Sequence, residues 1–122
     1  MRFSLTFAVG LLCCTGVAAA SVSPWQLTAA SSVHATRTRS GLTVTASVDL
    51  ANPCYEAAIR RSRHTAVAEY LVVTRVKDAD IGKICAMVIV PTVASGSFVV
   101  PHVPLRIVVI ARNRRFVVQV GP

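Results

Sequence analysis

Gly41-Leu42-Thr43-Val44-Thr45-Ala46-Ser47-Val48-Asp49-Leu50 decides the fold. Leu42, Val44, Ala46, Val48 and Leu50 fall on one face of an extended chain, and Thr43, Thr45, Ser47 and Asp49 on the other. Strict period two with β-branched residues on both faces is the pattern of a strand that lays one side on a core. Upstream, Val33 and Ala35 suggest a preceding strand that turns at Arg39-Ser40-Gly41. Downstream, Asn52-Pro53 breaks the alternation, because proline cannot donate to a ladder. Tyr55, Ala57 and Ile59 resume it.

The rest of the chain repeats the rhythm. Residues 67–77 are rich in Val, Leu, Tyr and Thr and read as a long strand, followed by a turn at Asp78-Ala79-Asp80-Ile81-Gly82. Residues 84–90 form a nearly continuous apolar run, which predicts a central strand buried on both faces and stopped by Pro91. A short strand at 98–100 follows. Residues 105–111 and 116–120 then read as a hairpin about Arg112-Asn113-Arg114-Arg115, with Asn113 suited to a positive φ. Seven or eight short strands, spaced by about 8–12 residues, predict an all-β sandwich with no required helix.

The beginning of the chain is read as an export signal. Arg2 supplies a positive start, residues 3–17 are apolar and uncharged, and Ala18-Ala19-Ala20 is a small-residue cleavage pattern before Ser21. The run is too short for a membrane span, and no later segment is long enough without charge or proline. The organisation expected is therefore a signal peptide at 1–20, a leader at 21–32 and one β-sandwich domain at 33–122. The alternative to cleavage after Ala20 is lipidation at Cys13 or Cys14, although Leu11-Leu12 is a poor context for it. The expected location is the periplasm or the exterior.

Of four cysteines, two remain after cleavage, Cys54 and Cys85. In an exported chain two cysteines read first as a disulfide, and closing a loop of about 30 residues stabilises by roughly 3–4 kcal/mol. Two buried free thiols are the other reading. A zinc site lacks the remaining ligands at suitable spacing.

Asn52-Pro53-Cys54-Tyr55 and Gly82-Lys83-Ile84-Cys85-Ala86-Met87-Val88-Ile89-Val90-Pro91 together resemble a loose group of small exported bacterial β-sandwiches. In that group an Asn-Pro-Cys turn is joined by a disulfide to a later cysteine-bearing strand that ends in proline. The resemblance covers residues 42–120. It implies a single immunoglobulin-like sandwich of seven or eight antiparallel strands, stapled from Cys54 to Cys85. It brings no catalytic residue, since the group mostly has no assigned activity. Where many such chains carry a Pro-Gly-rich loop, this one has the arginine-rich turn at 112–115.

Charge gives the remaining lead. The formal net charge is +8, and +7 once Arg2 is removed, which favours encounter with anions. Arg60, Arg61 and Arg63 fall in one loop and Arg112, Arg114 and Arg115 in the hairpin tip, so an anion-binding patch is expected if the two meet. Nucleic acid is disfavoured by export and by the lack of aromatics interleaved with these basics. Trp25 reads as packing on the domain edge. Catalysis finds little support. His34, His64 and His102 are far apart in sequence, no placed nucleophile is present, and Asp49, Glu56, Glu69, Asp78 and Asp80 form no acid–base pair by spacing. No metal or cofactor is expected. The readings that follow are a non-enzymatic module that binds a protein partner, a binder of an anionic surface polymer through the arginine loops, and an inhibitor of an exported hydrolase.

Overall fold

The computed structural model describes residues 24–63 and 68–122. The signal-peptide reading, Cys13, Cys14 and His64 lie outside them. Eight strands run in the order β1 (Gln26–Leu27), β2 (Ser32–Arg37), β3 (Gly41–Leu50), β4 (Tyr55–Arg61), β5 (Glu69–Val76), β6 (Val90–Val99), β7 (Arg106–Ile110) and β8 (Arg115–Gly121). A single 3-10 turn, Asp78–Asp80, is the one helical element among the described residues. The all-β expectation holds, and so does the bridge between Cys54 and Cys85.

β3 forms as the alternation demands. Leu42 and Val44 are fully buried and Ala46, Val48 and Leu50 nearly so, while Asp49 faces outward. The same core takes Val33 and Ala35 from β2, Ile59 from β4, Tyr70 and Val72 from β5, Ala94 from β6, and Ile107 and Val109 from β7. β7 and β8 pair as the expected hairpin, Ile110 opposite Arg115.

Three features depart from the sequence reading. Pairing was expected to be antiparallel throughout, yet β2 pairs with β8 and β5 with β7 in parallel. All eight strands consequently belong to one mixed sheet, in which β4 and β6 are edge strands. Parallel neighbours are joined only by long connections, so no local turn announces them. The sheet curls until β4 meets β6: a Cβ built on Gly96 would lie 3.0 Å from the Cβ of Ile59.

Second, residues 84–89 are no central strand; they lie outside the sheet and are mostly exposed. An apolar run fixes a preference for company, not its position, and here the cysteine near its start is pulled to Cys54 instead of into a ladder. Third, Pro91 does not end a strand. It sits inside β6 opposite Asp49, which a proline can do at a sheet edge where its missing N–H faces no partner. β6 then runs on through Ser95-Gly96-Ser97, where the sequence suggested a boundary, and pairs with β3 along its whole length.

The stretch read as a leader is woven into the body. β1 pairs with β5, Gln26 opposite Thr74 and Leu27 opposite Val73, and Ala30 is buried.

Candidate functional site

The site begins with the register of β4, β5 and β7. Arg60 stands opposite Leu71, which stands opposite Ile110. Ala58 likewise faces Val73, and Glu56 faces Arg75. Residues directly opposite one another share a face. The core face takes Ile59, Tyr70 and Val72, so Arg60, Leu71, Val73 and Arg75 belong to the outer one. Leu27 of β1 lies beside Val73 and helps to cover it. Val73 is only 4% exposed, so this outer face carries a small apolar floor of its own.

Trp25 borders the same groove as that floor, and two guanidinium groups approach its ring. Arg75 lies 4.3 Å and Arg60 5.5 Å from its ring centroid, within the range of cation–π attraction. The two arginines are not equivalent. Arg75 donates from Nε to Oε2 of Glu56 at 3.0 Å and is fixed by that contact. Arg60, Arg61 and Arg63 make no ion pair with any described residue, and all three are exposed. Together with Trp25, Leu27, Ser62, Leu71 and Val73 they line a groove of about 440 Å³. Its chemistry is two-part: an apolar, partly aromatic floor, and a rim of guanidinium forks whose donors suit carboxylate, sulfate or phosphate.

The second arginine cluster does not join the first in this groove. Arg112 borders a separate cavity of about 390 Å³ with Asp49, Tyr55, Thr74 and Ile89. Arg114 stacks 4.6 Å from the ring centroid of Phe116, and Arg115 is exposed at the start of β8. Leu27 borders both cavities, so β1 is the partition between them. Asn113, expected to serve the hairpin through its backbone, instead serves through its side chain, which binds Ala30.

His34 is exposed on β2 and His102 is exposed in the turn after Pro101. Among the described residues no three His, Cys, Asp or Glu side chains come together as a metal site, and no helix is long and apolar enough to cross a membrane. Sequence reasoning found Arg60, Arg61 and Arg63 but gave Trp25 no ligand-facing role and passed over Arg75. Arg75 alternates with Val73 and Leu71 on a strand, and that outward placement was the signal available. Comparison with protein-family models, with curated proteins and with solved structures finds no match to this chain.

Proposed function

We propose that the protein is an exported, non-enzymatic binding module that holds an amphipathic anion, an acyl or aromatic body with a carboxylate, sulfate or phosphate head, in the groove of Trp25, Arg60, Arg61 and Arg63. The observation that carries this reading is the division of labour around Trp25. Glu56 neutralises Arg75, whereas the three arginines on the rim have no carboxylate among the described residues. An unpaired guanidinium cluster beside a covered apolar floor favours a ligand that satisfies both. The disulfide and the N-terminal signal pattern support export, and kinship with small exported β-sandwiches belongs to the same reading. A polyanion binder using both arginine clusters is less favoured, because Arg112 faces another cavity and Arg114 is held on Phe116.

Trp25 reports the test. Titration with a monomeric alkyl sulfate should change its fluorescence saturably, and an alkyl glycoside of equal chain length should not. Arg60→Gln, on the outer face beside Trp25, should weaken binding by about tenfold, the equivalent of one charge-assisted contact. Equal response to the neutral detergent, or binding unchanged by Arg60→Gln, would refute the groove as an anion site.

A further inference from the structure

Residues 84–89, Ile84-Cys85-Ala86-Met87-Val88-Ile89, carry neither charge nor proline. Ile84 is 101%, Met87 86%, Ile89 66% and Val88 58% exposed, and Ile81 and Val93 on the flanks are exposed as well. A segment of this composition readily adds to another strand. Its main chain is equally unused: among the described residues its one backbone bond runs from the Val88 N–H to the carbonyl of Ala86. The segment is held at both ends, by Cys85 bonded to Cys54 and by Val90 entering the edge strand β6. Exposed strand edges are normally blunted by charge or proline. Here Lys83 and Pro91 stand just outside the run, and no such residue lies within it.

We infer that this ribbon pairs, antiparallel and about a two-fold axis, with the same ribbon of a second copy of the chain. Centring the axis on Met87, as alternating faces require, puts that residue opposite its own copy, Ala86 opposite Val88, Cys85 opposite Ile89 and Ile84 opposite Val90, an apolar pair at every position. Lys83 falls opposite Pro91, which ends the ladder, and keeps its own counter-charge, Asp80, at 3.7 Å, so no like charges meet in the seam. A two-fold contact needs only one surface to match itself, and this one does. The six exposed apolar side chains from Ile81 to Val93 offer on the order of 700 Å² per copy, close to what a standard interface removes from each partner. The net charge of +8 makes two copies repel at a distance, so salt strengthens this association. That is opposite in sign to its effect on an anion in the arginine groove, so the two proposals fail independently.

Sedimentation equilibrium of the protein, as the cell processes it, tests the pairing. A dimer is expected that tightens when salt rises from about 0.05 to about 0.5 M. Met87→Lys, at a side chain already in water, should leave the fold and thermal midpoint unchanged and weaken dimerisation by at least about a hundredfold. Val117→Lys adds the same charge on β8 and should leave the dimer intact. Amides of residues 84–89 should gain hydrogen-exchange protection as concentration rises. A monomer at every concentration, a dimer indifferent to Met87→Lys, or a dimer weakened by salt would overturn the inference. So would protection of the ribbon in the monomer, which would mean that another part of the chain or another protein covers it.

Discussion

Asn113 grips the backbone of Ala30 with both ends of its amide: Oδ1 accepts from the Ala30 N–H at 3.1 Å and Nδ2 donates to the Ala30 carbonyl at 3.0 Å. The side chain thus acts as one more residue of a ladder, joining the β7–β8 hairpin to the segment between β1 and β2. Ala30 is only 3% exposed, so its peptide groups have little water to fall back on. Asn113→Ala should therefore destabilise by about 2–3 kcal/mol, the penalty of leaving a buried donor and acceptor unmade. Asn113→Asp keeps the acceptor but sets a carboxylate against a carbonyl oxygen, and should cost at least as much at neutral pH. Urea denaturation of the two variants checks both values.

Gly96 and Gly41 are required by space, and the clashing partner separates them. A Cβ on Gly96 would meet Cζ of Phe98 at 2.9 Å and both the Cβ and carbonyl oxygen of Ile59 at 3.0 Å. The ring can turn away, while the β4 backbone must shift by a few tenths of an ångström. On Gly41 the same atom would reach main-chain atoms at the end of β6 and just beyond it, the carbonyl oxygen of Phe98 and the amide nitrogen of Val100 at 2.6 Å. All the atoms met are backbone, so no side chain can turn away to make room. Gly96→Ala is expected to cost about 1–3 kcal/mol, and Gly41→Ala more than about 3 kcal/mol through lost β3–β6 pairing. Denaturation midpoints that rank the two in the reverse order would contradict the close approach of β3 and β6 at Gly41.

Tyr70 is fully buried, stacks at 4.7 Å on Phe98, and its hydroxyl finds no hydrogen-bond partner among the described residues. Burial pushes its pKa above the ordinary value near 10, and the nearby Arg61 charge pulls back only in part. The folded state therefore holds this proton more tightly than the unfolded chain does. The stability linked to it is complete below pH about 10 and is lost as pH rises through the raised folded value. Tyr70→Phe keeps the ring contact and removes an unpaired buried hydroxyl, so it should be neutral or stabilising by about 1 kcal/mol and should flatten the alkaline decline. Tyr70→Ala opens a cavity and should cost about 3–5 kcal/mol. Denaturation midpoints from pH 8 to 11 distinguish these outcomes.

Much of the body was legible because period two is a local signal. Residues 41–50, 55–61 and 116–120 wrote their faces directly into the chain, and the disulfide followed from the cysteine count and the signal-like pattern at the start of the chain. The run at 84–90 was misread because it has no period at all. Seven apolar residues in a row fit a buried strand or an exposed ribbon equally well, and the choice between them is made by the bond from Cys85 to Cys54. Pro91 and Gly96 looked like boundaries because both are normally poor in ladders, but β6 lies at an edge, which admits Pro91, and crosses Ile59, which requires Gly96. The groove was half visible. Its arginines are adjacent in sequence, but Trp25 reaches them only through β1, a two-residue strand whose partner lies nearly fifty residues downstream.

The bridge from Cys54 to Cys85 spans 31 positions and encloses the β4–β5 hairpin and the 3-10 turn, and the exposed ribbon leaves from its closing end. Few folded-state contacts depend on it: Cys85 is half-buried, its neighbours face water, and the ladder from Tyr55 to Arg61 is held by β5. Its stabilisation is accordingly expected from restriction of the unfolded chain, roughly 3–4 kcal/mol for a loop of this size. Replacing both cysteines with serine should lower the denaturation midpoint by that amount, while near-ultraviolet circular dichroism stays native and β3–β6 amides keep their exchange protection. Reduction of the native protein should reproduce the double variant. A cost under about 1 kcal/mol, or loss of β6 protection in the folded variant, would show that the bridge acts on the folded sheet rather than on the unfolded chain.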